Sequence, residues 1–198
     1  MEAFFLDLRP AIEEAVRHAM EKIRREAGDE HIYSAALVTD SGCTTLFLAV
    51  NTEEALARRD QEDRTPERLA ELLEYYPREV VDQVAAGSFS LNRYVPDEWG
   101  WSDGTDSGLD QVSRRLCDRE EQLSGGEEDT CDEEQLLETV MCAFETLRAE
   151  GVFGPEVLCF VSMSDDERAE EIEDNSAQRL NTPEQYGQFQ GWMKLFYG

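Results

Sequence analysis

The chain has 198 residues, of which 45 are Asp or Glu and 18 are Lys or Arg, so its formal charge is -27. This surplus excludes nucleic acid as a direct ligand, because binding to phosphate depends on Lys and Arg displacing condensed counterions. Hydrophobic residues make up 40% of the chain, which is enough for a folded core and excludes wholesale disorder. A basic protein, a cation or plain solubility remains as the use of the negative charge.

The acidic residues are concentrated in the middle of the chain. Residues 97–138 contain fifteen Asp or Glu and only three Arg. With a screening length of about 8 Å at physiological salt, these carboxylates repel one another and gain from a basic partner. The Gly-containing stretch near residues 124–130 is predicted to be an exposed acidic loop.

The first predicted elements are a helix and a hairpin. Apolar residues recur at helical spacing over residues 3–27, and Gly28 ends this helix. Two β-rich runs follow, at residues 32–39 and 44–50, and a Gly-containing connection of hairpin length separates them. We therefore expect the two runs to pair antiparallel.

Capping signals predict a helical layer after the hairpin. Asn51-Thr52-Glu53-Glu54 reads as a capping box, and Thr65-Pro66 starts a second helix. Residues 78–86 extend this layer. Alternating side chains over residues 88–94 predict a third strand, which Pro96 stops.

The second half of the chain predicts more helices and one strand. Helices are expected from Leu109 and after Thr130, and Gly151 is placed to end the second of them. The apolar run 157–163 predicts a central strand covered on both faces. Ser164-Asp165-Asp166-Glu167 is expected to cap a charged helix, and Thr182-Pro183 starts a last helix whose aromatic face docks on the core.

This order of elements predicts an α+β fold. We expect a single domain over residues 1–198, with a small, mainly antiparallel sheet of three to four strands backed by several helices. The N-terminus lacks the pattern of a secretory signal and no run approaches 18 apolar residues, so a cytoplasmic protein without a membrane partner is expected. The five Cys form no regular framework, which indicates reduced thiols.

The common catalytic and metal-binding patterns are missing from the sequence. It contains no HExxH, GxSxG, GxxxxGK[ST] or GxGxxG, and its only His residues are His18 and His31. The Asp-rich stretch 103–108 resembles the start of a calcium loop, but Arg114 stands where that loop needs a bidentate Glu. We therefore predict a protein that is not an enzyme, with no cofactor and no metal.

The most distinctive segment runs from Arg93 to Trp101 and combines aromatic and acidic side chains. Aromatic residues supply rigid contact area, and carboxylates pair with the Arg or Lys of a partner. The predicted partner-binding residues are Tyr94, Asp97, Glu98, Trp99, Trp101 and Asp103. In the competing interpretation, Trp99 or Trp101 folds back onto the sheet while Glu98 meets Arg93 or a helix terminus.

Four short motifs in this order resemble an uncharacterised family of acidic bacterial proteins, a domain of unknown function. They are Tyr33-Ser34-Ala35-Ala36-Leu37, Asn51-Thr52-Glu53-Glu54, Tyr94-x-Pro96-x-Glu98-Trp99, and Phe160-Val161-Ser162 leading to Asp165. Such families are similar to the immunity proteins of polymorphic toxin systems, including the SMI1/KNR4-like (SUKH) group. The resemblance implies a protein that binds and occludes a basic toxin.

The leading hypothesis is a non-enzymatic, acidic, cytoplasmic binding protein whose partner is a basic protein, with a toxin domain as the candidate. Two alternatives stay open. One is a carboxylate and metal-dependent enzyme in which the fold brings Glu98 and Asp165 together. The other is an acidic protein adapted to salt, with its charge spread over every face. The oligomeric state does not follow from the sequence.

Overall fold

A computed structural model describes residues 2–103, 108–123 and 133–197, so the predicted acidic loop near residues 124–130 lies outside the described residues. The strands are β1 (Ile32–Asp40), β2 (Leu46–Thr52), β3 (Trp101–Ser102) and β4 (Leu158–Ser164), and a short 3₁₀ helix spans Pro96–Glu98. The helices are α1 (Ala3–Ala27), α2 (Glu53–Asp63), α3 (Pro66–Leu72), α4 (Arg78–Ala86), α5 (Gly108–Leu123), α6 (Glu133–Ala149), α7 (Ala169–Leu180) and α8 (Pro183–Phe196).

The described strands form one mixed sheet in the order β3-β2-β1-β4. The predicted hairpin is confirmed, because β1 and β2 pair antiparallel with Ala36 opposite Ala49. β3 also pairs antiparallel with β2, whereas β4 runs parallel to β1. The predicted α+β class is therefore confirmed, with a mixed sheet that is not purely antiparallel.

Helices cover both faces of the sheet. Side chains of neighbouring strands alternate between the faces, so that Leu37 and Leu48 join one core cluster while Ala36 and Phe160 join the other. The first cluster contains residues of α1, α5 and α6. The second contains residues of α2, α3, α4 and α8 together with the segment 88–99. The aromatic face predicted for the last helix docks here, since Phe189 is fully buried.

The position predicted for β4 is wrong, because this strand lies at an edge of the sheet. Its two faces join the two core clusters, with Val161 in the first and Phe160 in the second, while α7 and its C-cap Asn181 bind the outer backbone of the strand. The amide of Val161 donates to Ser176 Oγ at 2.9 Å. Asn181 accepts from the amide of Cys159 at 2.8 Å and donates to the carbonyl of Cys159 at 2.6 Å. The apolar run 157–163 therefore indicated that the strand is buried, but not that it is central in the sheet.

The strand predicted over residues 88–94 is also wrong, because residues 88–90 are irregular and residues 91–94 form a turn. Its carbonyls accept hydrogen bonds from aromatic side chains and not from a neighbouring strand. The donors and acceptors are Trp192 Nε1 to Ser90 O, Trp99 Nε1 to Asn92 O and Tyr33 OH to Arg93 O. The strand that pairs with β2 instead is β3, further along the chain.

Most of the predicted helix starts are confirmed. The hydroxyls of Thr52, Thr65 and Thr182 accept backbone amides of the first turns of α2, α3 and α8. α7 differs from its prediction, since it begins at Ala169 and its N-cap, Arg168, makes no side-chain capping bond. The chain between β4 and α7 turns before it reaches Ala169.

Among the described cysteines, Cys117, Cys142 and Cys159 are free thiols. Burial raises the pKa of the Cys159 thiol to about 11, which keeps it protonated at neutral pH. Within the described ranges no helix combines the length and apolar character needed to cross a bilayer.

Replacing Asn181 tests how much the edge of β4 depends on α7. Asn181→Ala leaves the buried amide and carbonyl of Cys159 without their partner, so we expect a loss of about 2–3 kcal/mol in the free energy of unfolding by urea titration. Asn175→Ala is the matched control, because Asn175 is exposed on α7, the helix whose C-cap is Asn181. Equal stability of the two variants would contradict the role given to Asn181.

Candidate functional site

The 3₁₀ helix Pro96–Glu98 stands above the second face of the sheet because aromatic packing fixes the chain on both sides of it. After the helix, the ring of Trp99 lies edge-on to Phe160, with the ring centres 5.8 Å apart. Before it, the ring of Tyr94 packs against Phe189 and Trp192 at 5.0 and 5.4 Å. Asp97 and Glu98 are therefore presented to solvent on a rigid base.

Four of the six predicted site residues line one open depression of about 460 Å³ beside β3, which we call the β3 depression. Three carboxylates and three aromatic side chains face it, and among the described residues no basic side chain lines it. The lining residues are Phe47, Ala49, Pro96, Asp97, Trp99, Trp101, Ser102, Asp103 and Asp110. Aromatic walls with carboxylates and no internal cation are suited to a guanidinium or ammonium group.

The four predicted residues contribute to the depression in different ways. Asp97 is exposed, and the two indoles of Trp99 and Trp101 are half-buried. Asp103 is buried. Its carboxylate accepts from the amide of Leu48 at 3.0 Å, and its own amide donates to the carbonyl of Leu48 at 3.1 Å. Asp103 thus continues the pairing of β3 with β2, while Asp97 offers its charge to solvent.

The structure separates Glu98 and Tyr94 from these four. Glu98 is exposed and binds Arg59 at 2.7 Å, so it pairs with neither Arg93 nor a helix terminus. Tyr94 is only 5% exposed and lies inside the second core cluster. Its ring supports the segment that carries Asp97 and does not face solvent.

Glu98 lines a second groove, which we call the α3 groove, of about 310 Å³. Tyr75 stands at this groove with 78% of its surface exposed. The buried carboxylate of Asp63 forms part of the groove and accepts from Asn92 Nδ2 at 2.6 Å. The full lining is Arg59, Asp63, Arg68, Leu72, Tyr75, Tyr76, Leu91, Asn92, Val95 and Glu98.

A third groove lies between α7 and α8 and has a volume of about 540 Å³. We call it the α7–α8 groove. Its wall carries four carboxylates, and its two basic side chains are Arg168 and Lys194. The lining residues are Glu167, Arg168, Glu170, Glu171, Asp174, Gln190, Met193, Lys194 and Tyr197.

Glu173 is a buried acid next to this groove that sequence reasoning missed. Ser162 Oγ donates to it at 2.7 Å and the hydroxyl of Tyr197 donates at 3.2 Å. Burial raises the pKa of Glu173 to about 7, and the nearby carboxylates of Glu170 and Asp97 act in the same direction.

The acids of the enzyme alternative have separate surroundings. Glu98 is bound to Arg59, and Asp165 is exposed in a left-handed conformation with φ of +58° after β4. Within residues 2–103, 108–123 and 133–197, no group of three or more His, Cys, Asp or Glu is arranged to hold a metal ion. His18 lines an apolar hollow on α1, and His31 lies beside Glu54 at 3.2 Å.

A family model described as a domain of unknown function, DUF4303, matches residues 12–182. The chain belongs to the DUF4303 family. The prediction of an uncharacterised domain family is thereby confirmed, and the resemblance to immunity proteins stays a prediction. No curated protein and no solved structure matches the chain. The part of this DUF4303 protein that the model matches includes the β3 depression and the α3 groove.

Several residues of these surfaces had no signal in the sequence. Asp110 lies in the first turn of α5, where an acidic residue is common whatever its function. Tyr75 and Tyr197 sit next to apolar helical stripes and read as core residues. Glu173 is one acid among many in α7, and only the fold shows that it is buried.

Glu173 makes the folded protein less stable as the pH rises. A carboxyl whose pKa is raised on folding contributes stability below pH 4.5 that is lost as the pH rises through 7. At about 1.4 kcal/mol per unit of pKa, ionisation costs about 3 kcal/mol in total. Glu173→Gln should therefore gain about 2–3 kcal/mol over the parent chain between pH 5 and pH 8, measured by urea unfolding.

The control for this experiment is Glu171→Gln, which removes the same charge from an exposed position on the same helix. We expect it to follow the parent chain within about 0.5 kcal/mol at both pH values. A parallel response of the two variants would show that general charge repulsion, and not the buried site, sets the pH dependence.

Proposed function

We propose that this protein binds a basic protein through the β3 depression and the acidic surface around the 3₁₀ helix. The observation that carries the proposal is the lining of that depression. Asp97, Asp103 and Asp110 face it together with Trp99 and Trp101, and no basic side chain among the described residues does so. An Arg or Lys of a partner would supply the missing positive charge.

The arrangement of the arginines supports the same proposal. Many of them bind carboxylates of other elements, with N–O distances of 2.5–2.9 Å, and so hold the fold together. These pairs are Arg17–Glu150, Arg58–Glu30, Arg59–Glu98, Arg93–Glu53, Arg115–Asp7, Arg119–Glu2, Arg168–Glu133 and Arg179–Glu138. Since 45 acids face only 18 basic residues, a large acidic excess is left for a partner.

The finer proposal is that the protein acts as an immunity protein that occludes a basic toxin domain. Electrostatic attraction would speed the encounter, and the rigid base under Asp97 would hold the acidic surface in place over the toxin. The motif resemblance and the net charge support this class. It requires no catalytic group of the chain itself.

The test first asks whether a gene adjacent to that of this chain encodes a basic protein, and such a protein is then the partner used. In a stopped-flow association experiment, Asp97→Asn with Asp110→Asn removes two carboxylates from the depression. We expect the association rate at low salt to fall about 3- to 10-fold and its dependence on salt to weaken, because steering charges act mainly on the association rate.

Glu156→Gln with Glu184→Gln is the matched control, since it removes two exposed charges that line none of the three grooves. An adjacent gene for a toxin, and protection of cells by the chain, would support the immunity class. The salt-adaptation alternative predicts that the depression variant and the control variant behave alike, and that result would refute the proposed site.

A further inference from the structure

Large apolar side chains are exposed where the ends of α3 and α8 meet. The rings of Tyr76 and Phe196 lie 6.3 Å apart, which joins the two helix ends. Phe196 also contacts the ring of Tyr197 at 5.0 Å. The exposed side chains that flank this contact are Leu73, Tyr75, Leu195 and Tyr197. A cluster of this kind on a strongly charged protein is typical of an interaction surface.

Both exposed tyrosines stand beside carboxylates. Tyr75 lines the α3 groove with Glu98, and the exposed Glu74 precedes it in the chain. Tyr197 lines the α7–α8 groove with Glu170 and Glu171. An aromatic face next to a carboxylate matches the guanidinium of Arg, which stacks on the ring while its N–H groups bind the oxygens.

Most of the cations at these grooves already have partners. Arg59 binds Glu62 and Glu98, and Arg68 binds Asp63 and Glu71. In the α7–α8 groove, Arg168 binds Glu133 and Asp166, which lie outside the lining. The four carboxylates of that groove therefore exceed the charge that faces them.

We infer that the two tyrosines, Tyr75 and Tyr197, are the aromatic anchors of the partner surface, and that they bind arginines of the basic protein. This inference rests on the proposed function and adds a preference for Arg over Lys. The carboxylates of the α7–α8 groove supply charge, and the two tyrosines supply the flat faces. Trp99 and Trp101 line the neighbouring depression and complete the surface.

A second copy of the chain is the other occupant to consider. Each copy carries a formal charge of -27, and the exposed tyrosines lie among carboxylates, so two copies would bring like charges together. The charge of the rim therefore favours a cationic partner over self-association.

The experiment compares labelled nona-arginine and nona-lysine peptides, which carry the same charge, by fluorescence anisotropy at physiological salt. We expect the parent chain to bind nona-arginine more tightly. Tyr75→Ala with Tyr197→Ala should weaken nona-arginine about two- to fivefold per tyrosine and leave nona-lysine nearly unchanged. Tyr75→Ala alone serves as a second variant, because its side chain is 78% exposed and its loss leaves the fold intact.

Tyr75→Phe with Tyr197→Phe is the control that keeps both rings and removes the hydroxyl bond of Tyr197 to Glu173. It should retain the preference for nona-arginine. Binding of both peptides with no loss in the alanine variants would overturn the tyrosine anchors while leaving the proposed function standing. No binding of either peptide would refute the proposed function and the anchors together. A dimer that dissociates in the alanine variants would assign the patch to self-association and overturn the inference.

Discussion

Three aromatic side chains donate hydrogen bonds to three carbonyls of the segment before the 3₁₀ helix, and the acidic surface depends on them. Trp192, Trp99 and Tyr33 each bury a ring against the second core cluster and place a donor at its edge. A chain without a neighbouring strand must satisfy its backbone in some other way, and these donors do so. The same packing fixes where Asp97 and Glu98 meet solvent.

This arrangement explains why the sequence pattern predicts a strand over residues 88–94 where the structure has none. Phe89 and Leu91 are buried, which produces the alternation of a strand, but Asn92 and Tyr94 are buried as well. In this segment both odd- and even-numbered residues are buried, and side chains bind its backbone. The hydrophobic pattern alone does not distinguish such a segment from a strand. By contrast, the hairpin and the Thr-capped helices were predictable, since their signals are local in the chain.

Contacts between residues far apart in the chain have no local signal in the sequence, and this limited the prediction of both the sheet and the site. β4 pairs with β1 from more than a hundred residues away, and its apolar run indicates burial without giving its neighbours. Asp97, Trp99, Trp101 and Asp103 were found together because they are close in the chain. Asp110 enters the depression from another element, which no local pattern indicates.

On both sides of the described sheet, side chains bind backbone groups of β4 and β2, and this restricts how a partner can bind. Ser176 and Asn181 hold the backbone of β4, while Ser113 accepts from the amide of Leu46 at the start of β2 and Asp103 holds Leu48 further along. At these positions of the described sheet the backbone is already bound, so a peptide cannot pair with it there. A partner that meets these positions must be recognised through side-chain chemistry. The same bonds keep so acidic a chain from joining its copies edge to edge at these positions.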